Sequence, residues 1–458
     1  MTLLREPVQL LTGTKFFSLS LLVAALLLTA NSAVAQQQID FEDAVDIALD
    51  RNVALKKSAN AVILSESAVK QAKADFLPNL NVNSSASRNW GLSFDQTAGK
   101  LVNAVSDGLS GSVSSGVNVF NGFSDVAGLN QAKLLLEADE YSLARAEQGV
   151  YFNVVSNYLQ VLLDQEQVAI RLEDLESQRQ QLTRIEEFTR LGARPISDLY
   201  QQQATAAQSE FSLLESERAV ELSKVALIQV LQLDPFVDYA FDAPRAEELN
   251  LEIMTYELDA ILRMALEKRA DLLSLQRSLD AAAEGIRIAK SSRYPSVNLS
   301  GSYGSSYSSS RDEDLSSQFS DNRSGSARLS LSVPIFNRMS TRNNIQRSEI
   351  NYNNQMLDLQ NFEQSILLEV RREYLAYQSL AKQLDVTEIQ LNAATQAEQV
   401  EQERYNVGAS TLVELTQARA ALVSAASNRA QVIYRFIFQS KLIDYYIGVL
   451  NPSDSVFN

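Results

Sequence analysis

The sequence predicts a mainly α-helical chain with a small β part, in which a unit of long helical hairpins plus β-hairpins is duplicated. Three observations predict this fold class. Matching residues recur at a nearly constant distance, and two long stretches without proline place apolar residues every seven positions. Two pairs of shorter segments alternate apolar and polar residues. These patterns indicate an internal repeat, coiled helices and strands with one apolar face.

The duplication is visible as an offset that hardly changes along the chain. Residues 48–51 (Ala-Leu-Asp-Arg) match residues 265–268 (Ala-Leu-Glu-Lys) at an offset of 217. Farther along, the Gly-Ala pair at 192–193 matches the Gly-Ala pair at 408–409 at an offset of 216. We therefore expect two copies of one structural unit.

The duplication also defines the predicted domains. They are a signal peptide (1–35), a first repeat (36–235), a linker or equatorial segment (236–257), a second repeat (258–452) and a C-terminal tail (453–458). In the first repeat we expect an initial helix (41–75), a β-hairpin (79–120) and two long helices (124–190 and 195–232). In the second repeat we expect the corresponding helix (258–292), β-hairpin (296–336) and long helices (340–406 and 411–448).

The first 35 residues have the order of a secretory signal peptide. Arg5 and Lys15 precede an apolar run over 16–30, and Ala-Val-Ala follows at 33–35. A basic start, a short apolar core and a small-x-small site are typical of such a signal. The apolar run is shorter than the ~20 residues that a spanning helix needs, which disfavours a membrane anchor. We expect cleavage after Ala35 and an exported mature chain.

The composition excludes several classes of protein. There is no cysteine, so disulfides and thiolate metal sites are excluded. There is no histidine, the commonest general base and metal ligand. The formal charge of −16 argues against a nucleic-acid partner, which would require a basic face. We expect no catalytic residues, no metal and no cofactor.

The β-hairpins begin where a proline ends the initial helix of each copy. The ring of Pro78 or Pro295 disfavours helical backbone in the residue before it. The clearest alternation follows over 327–335, where Leu329 and Leu331 flank Ser330. Stretches rich in serine, glycine and aspartate separate the paired strands and predict exposed loops over 91–111 and 304–325.

Four strands per chain cannot close a barrel, and an open sheet edge is unsuited to lipid. Three chains that pool their strands would form a 12-stranded barrel, which lies within the even-numbered range of known barrels. We therefore expect the chain to trimerise into a 12-stranded β-barrel.

The proline-free stretches 124–190 and 340–406 each predict a helix of roughly 100 Å. The apolar residues with seven-residue spacing are Val154, Val161, Val168, Leu175 and Leu182, then Val370, Tyr377, Leu384 and Leu391. Such spacing keeps one seam facing a partner helix and imposes a left-handed supercoil. Six helical hairpins per trimer would form an α-helical tunnel that continues the barrel.

The turns between the long helices carry a specific resemblance. Residues 404–415 (Arg-Tyr-Asn-Val-Gly-Ala-Ser-Thr-Leu-Val-Glu-Leu) resemble the tip motif of TolC-like outer-membrane efflux proteins. Residues 188–199 resemble the weaker first-repeat version of that motif. Phe-Leu-Pro at 76–78 and Tyr-Pro at 294–295 are similar to the helix-to-strand junctions of the same family. The resemblance covers the whole mature chain in order.

The resemblance implies a homotrimer in the cell outer membrane, surrounded by outer-membrane lipid, with its tunnel projecting into the periplasm. It implies that the tips meet a periplasmic adaptor (membrane fusion) protein linked to an inner-membrane pump of the RND or ABC type. The expected function is a passive, gated exit duct in a tripartite efflux or type I secretion system. The energy source would lie in the pump.

The tip glycines are expected to cap helices and to contribute to docking. Glycine at a helix end supplies a positive φ. Bare backbone beside a small side chain lets a partner hairpin approach closely, and the resemblance implies that this partner is the adaptor. The expected docking residues are Gly192, Ala193, Gly408 and Ala409.

Three further residues are candidates for a periplasmic gate. The resemblance implies that Glu414 rings the constriction and that Asp198 and Tyr405 tie one hairpin to the other. The chain departs from the family at two places. Ser410 stands where the family has the arginine of that tie, and neutral Gln417 stands where it has a second ring acid. An acidic residue near a helix N-terminus is also favourable with the helix dipole alone.

Two alternatives remain open from the sequence. One is an exported fibrous coiled-coil structural protein, which would not need two matched β-hairpins. The other is a periplasmic hydrolase that uses only acidic residues, for which the sequence shows no local carboxylate cluster.

Overall fold

The computed structural model describes residues 37–95, 99–242, 251 and 253–450. The predicted signal peptide and the predicted tail lie outside the described residues. None of the described helices combines the length and the apolarity that crossing a bilayer requires.

The two halves of the described chain share the order of two short helices, two strands and two long helices; the short strands β1 and β4 occur only in the first half, and the short helix α7 only in the second. The first half has β1 (Gln37–Ile39), α1 (Phe41–Arg51), α2 (Val53–Ala74), β2 (Asn79–Asp95), β3 (Lys100–Asn121), α3 (Ser124–Arg190), α4 (Ile196–Leu231) and β4 (Tyr239–Phe241). The second half has α5 (Leu258–Lys268), α6 (Ala270–Ser291), β5 (Ser296–Ser308), α7 (Leu315–Asp321), β6 (Ser324–Ser332), α8 (Ser340–Asn406) and α9 (Leu412–Ile447). The predicted fold class is confirmed.

The long helices pack as two hairpins lying side by side. Helix α3 packs on α4, α8 packs on α9, and α3 also packs on α9, which gives the order α4, α3, α9, α8 across the wall. The heptad residues buried within the single chain are Val154, Val161, Leu175, Val370, Tyr377 and Leu384. Their burial explains why two proline-free stretches of 67 residues remain continuous, paired helices.

The initial helix of each half is broken, so the prediction of one continuous helix there was wrong. Asn52 and Arg269 leave the helical conformation, with ψ values of 120° and 119°. Asn52 then caps the next helix, since its side-chain oxygen accepts a hydrogen bond from the Leu55 amide at 3.0 Å. Arg269 is held by ion pairs with Asp271 and Glu369 at 2.7 and 3.1 Å.

The predicted loop over 91–111 was also wrong, because most of it is strand. Strand β2 continues to Asp95, and β3 starts at Lys100. Arg88 pairs with Asp107 across the two strands, and their side chains form an ion pair at 2.6 Å. Backbone pairing with an adjacent strand overrides a loop-like composition, because small polar side chains are compatible with the polar face of a sheet.

The predicted loop over 304–325 is shorter than expected. Strand β5 continues to Ser308, and a short helix, α7, follows after Asp314, whose side chain caps it. The buried Gln318 side chain bonds the backbone of Ser308 through both its oxygen and its nitrogen. The return strand ends at Ser332 rather than near 335, because Pro334 has no amide hydrogen for the ladder.

The two β-hairpins join in one antiparallel sheet with the order β2, β3, β5, β6. Leu299 pairs with Val117 on one side and with Leu329 on the other, which gives a continuous apolar face. Leu331 pairs with Val297 on the same face. In the single chain this face is exposed, and β2 and β6 are edge strands.

Gly448 should be essential to the junction between α9 and the break at Arg269. Its φ is +76°, and an added Cβ would lie 2.8 Å from the Lys268 carbonyl carbon. Gly448→Ala should therefore destabilise the protein by at least ~1–2 kcal/mol, the cost of a left-handed alanine alone. Gly128→Ala is the control, since its Cβ would meet open space within helix α3. Thermal unfolding followed by circular dichroism should show opposite shifts, and equal shifts would contradict this account.

Candidate functional site at the hairpin tips

The two helical hairpins end in turns built alike, here called the first tip (residues 191–195) and the second tip (residues 407–411). Gly192 and Gly408 have φ values of 72° and 79°, so the predicted positive φ is confirmed. The Ala193 amide donates to the Phe188 carbonyl at 2.8 Å, and the Ala409 amide donates to the Arg404 carbonyl at 2.8 Å. These bonds satisfy carbonyls that the helix end would otherwise leave unpaired.

Both tips present apolar and small groups to solvent. Ala193 and Ala409 are exposed, and an added Cβ at either tip glycine would meet open space. The residue before each glycine is an exposed large apolar one, Leu191 at 67% and Val407 at 80%. Each tip therefore presents one exposed apolar side chain beside bare backbone.

Glu414 closes a capping box at the start of α9. Its carboxylate accepts hydrogen bonds from the Thr411 amide at 2.8 Å and from the Ser410 hydroxyl at 3.0 Å. The Glu414 amide in turn donates to the Thr411 hydroxyl at 3.3 Å. The hydrogen bond from the Thr411 amide lowers the pKa of Glu414 most, and the bonds from the Ser410 and Thr411 hydroxyls lower it further. The side chain stays charged at neutral pH.

Tyr405 lies inside a small apolar cluster that draws on all four long helices. It packs with Ile185 of α3 and with Leu412 and Leu415 of α9, and Leu199 of α4 lies against them. Only 3% of Tyr405 is exposed. The cluster joins the two hairpins close to their tips.

The tie expected between Asp198 and Tyr405 is not a direct hydrogen bond among the described residues. No hydrogen bond joins the Tyr405 hydroxyl to Asp198 there. Burial raises the pKa of Tyr405, while the Arg194 charge lowers it and the Asp198 charge raises it. Asp198 is therefore an electrostatic neighbour of Tyr405 across the hairpins.

Arg194 is a tip residue that the sequence analysis missed. Its guanidinium carbon lies 4.4 Å from the centre of the Tyr405 ring, and Nη2 donates to the Tyr405 carbonyl at 3.3 Å. No spacing rule pairs positions 194 and 405. The only available signal was an arginine in the first tip together with Ser410 at the position of the family's arginine.

Ser410 itself is engaged within the second tip. It is buried, and its single hydroxyl hydrogen is shared between the Glu401 carboxylate at 2.7 Å and the Glu414 carboxylate at 3.0 Å. Arg404 also pairs with Glu401, three residues earlier in the same helix. The second tip is thus a self-contained polar network in which no side chain at 410 reaches the other hairpin.

A second polar layer joins the hairpins farther from the tips. Arg419 of α9 pairs with Glu398 of α8 at 2.9 Å and lies 3.5 Å from Asp174 of α3. Asp174 also accepts a hydrogen bond from Ser209 of α4 at 2.8 Å. Like the apolar cluster, this layer has members on all four long helices.

Comparison with known proteins places these features in a family. The family described as "Outer membrane efflux protein" matches residues 44–231 and 261–437, which is most of the chain. The chain belongs to the outer membrane efflux protein family. Members of this family are outer-membrane channel proteins, not enzymes. Membership supports an efflux channel role for this chain.

The relatives of this chain include proteins described as TolC and as CyaE. TolC of Vibrio cholerae is 23% identical over 451 residues, which cover 95% of this chain and 96% of that protein. TolC of Salmonella enteritidis is 24% identical over 220 residues, covering 46% of this chain and 44% of that protein. Protein CyaE of Bordetella pertussis is 24% identical over 323 residues, covering 69% of this chain and 65% of that protein.

Solved structures show the same fold for this outer membrane efflux protein. The outer membrane protein VceC of Vibrio cholerae has a TM-score of 0.77 at 18% identity, covering 89% of this chain and 96% of that chain. The Campylobacter jejuni CmeC outer membrane channel has a TM-score of 0.78 at 18% identity, covering 91% of this chain and 87% of that chain. The duplicated unit of helical hairpins and β-hairpins is thus a shared architecture.

Proposed function

We propose that this outer membrane efflux protein is the passive, gated exit duct of a tripartite efflux or type I secretion system. It works as a homotrimer whose tips dock to a periplasmic adaptor protein, which links it to an inner-membrane RND or ABC-type pump. The observation that carries the proposal is a single chain with an exposed apolar sheet at one end and an incomplete wall of long helices at the other.

The sheet supports assembly in the outer membrane. Its apolar face, which includes Leu299, Leu329 and Leu331, is exposed in the single chain. Its edge strands, β2 and β6, would leave backbone groups unpaired in lipid, where each such group costs several kcal/mol. Three copies joined edge to edge close a barrel of 12 strands and remove every edge.

The helices support the same number of copies. The outer helices of the wall, α4 and α8, have large apolar side chains exposed in the single chain. On α4 these are Phe211, Leu214, Leu222 and Val225, and on α8 they are Leu375, Val386, Ile389 and Val400. Packing α4 of one copy against α8 of the next buries both sets and closes a ring. Helices of 67 residues then form a tunnel of about 100 Å that projects into the periplasm.

The tips support docking and gating at the far end of that tunnel. Exposed Leu191 and Val407 beside Gly192-Ala193 and Gly408-Ala409 form the adaptor-docking surface. Glu414, Asp198 and Tyr405 form the periplasmic gate. The two repeats, 36–235 and 258–452, with the linker 236–257 between them, each supply one hairpin to this end.

The barrel assignment predicts different effects on neighbouring residues of β6. Leu331→Arg places a charge on the lipid-facing side and should cost ~2–4 kcal/mol near mid-membrane. Ser330→Arg, its matched control, points to the lumen and should cost much less. Trimer yield and urea unfolding of the protein in lipid vesicles measure the difference. Equal damage at both positions would refute the faces, and a monomeric detergent particle would refute the trimer.

The docking assignment predicts that bulk at the second tip abolishes export. Gly408→Phe should block export in cells while trimer level and membrane insertion stay normal, because the adaptor can no longer approach the backbone. Gly408→Ala is the control, since it carries the same positive φ without the bulk. Export lost equally in both variants would leave Gly408 only a capping role, and normal export with phenylalanine would remove the docking surface.

The gate assignment predicts that Glu414 sets ion selectivity. Three carboxylates held around the trimer axis attract cations into the constriction. In planar bilayers the channel should prefer cations, and Glu414→Gln should weaken that preference and the block by polyvalent cations. Glutamine also forms a capping box, so the tip should stay folded. Glu403→Gln, an exposed control in the last turns of α8, should change neither property. If Glu414→Gln also changes neither, the acid ring lies elsewhere.

A further inference from the structure

We propose that Arg194 ties the first tip to the second and holds the periplasmic end of the channel closed. It does so from a different position than the family resemblance implies, because Ser410 cannot serve as a cationic link. The inference rests on the proposed gated duct and adds the residue that controls the gate.

The geometry of Arg194 is that of a bridge between hairpins. Its side chain leaves the first tip and reaches Tyr405 of α8, over the ring at 4.4 Å and at the carbonyl oxygen at 3.3 Å. A guanidinium can stack on an aromatic face and donate from its edge at the same time, which an ammonium group does less well.

The carbonyl that Arg194 bonds belongs to the last turn of α8. The last carbonyls of a helix lack intrahelical partners and carry the negative end of the helix dipole. The Tyr405 carbonyl already accepts the Gly408 amide at 3.1 Å, and a carbonyl has a second lone pair to offer. A cation from the other hairpin therefore stabilises this helix end.

Separating the tips would break this bridge and open the apolar cluster beneath it. Tyr405 and Ile185 are buried, and they come from different hairpins. Moving one hairpin away would expose both side chains and remove the cation from the ring. The closed arrangement of the tips is thus the one in which Arg194 keeps its contacts.

The other cationic side chains near the tips do not contact the opposite hairpin in this way. Arg190, four residues earlier, pairs with Glu187 of its own helix at 2.8 Å. Arg404 pairs with Glu401 of its own helix. Ser410 is committed to acceptors within its own tip. Among the described tip residues, only Arg194 carries a positive charge from one hairpin to the other.

The test compares conductance in planar bilayers for the full protein and for three variants, each confirmed as a trimer on a gel. Arg194→Gln should raise the ratio of open to closed channel roughly tenfold, since each chain loses a cation–π contact and a charged hydrogen bond. Arg194→Lys keeps the charge but stacks less well, so it should give a smaller rise. Arg190→Gln removes an equal charge four residues earlier, at the end of α3, and should behave as the unmodified protein.

Wild-type conductance for Arg194→Gln as an intact trimer would overturn the inference, and so would an equal rise for Arg190→Gln. If Arg194→Gln does not assemble, Arg194→Lys decides alone: raised conductance supports the bridge and unchanged conductance overturns it. An unmodified trimer that forms no channel at all would overturn the proposed duct, and this inference with it. If the unmodified trimer conducts and the Arg194 variants conduct as it does, only the role of Arg194 is rejected and the proposed duct stands.

Discussion

The packing of α3 against α6 and α9 holds the two halves of the chain together, and both the sheet and the tips take their positions from it. The main apolar core lies at the junction of these helices with the short helices α1 and α5. Tyr158 of α3 is fully buried there, and its hydroxyl donates to the Asp242 carbonyl at 2.6 Å. Because the hairpins are long and stiff, any shift at this junction would be carried to the tips.

Buried charge adds specificity to that junction. Arg145 of α3 lies 3.3 Å from Asp271 of α6, and Arg269 links the same carboxylate to Glu369 of α8. Removing one member of such a network leaves a buried charge without its partner, which costs far more than the network contributes over an apolar core. The ion pairs therefore favour the register in which all four charged side chains meet.

The duplicated tips have diverged in their contacts. The second tip is bonded within itself, with Thr411 and Glu414 in a capping box and Ser410 held between two carboxylates. The first tip begins its return helix at Pro195 without a side-chain cap, and it sends Arg194 across to its neighbour. The two tips thus share one turn geometry and differ in the contacts that hold them.

Much of this architecture was determined by the sequence itself. The repeat offset, the prolines and the seven-residue spacing act through neighbours close in the chain, so they predicted the long helices and their ends within about one residue. The tip glycines were predictable for the same reason, since a positive φ is a local demand. Strand length over 91–111 was not, because pairing between β2 and β3 decides it, and the break at Arg269 was not, because it depends on Glu369, 100 residues along the chain. The break at Asn52 is a local cap that the sequence analysis overlooked. The bridge from Arg194 to Tyr405 spans 211 residues, and only the side-by-side packing of the two hairpins brings its members together.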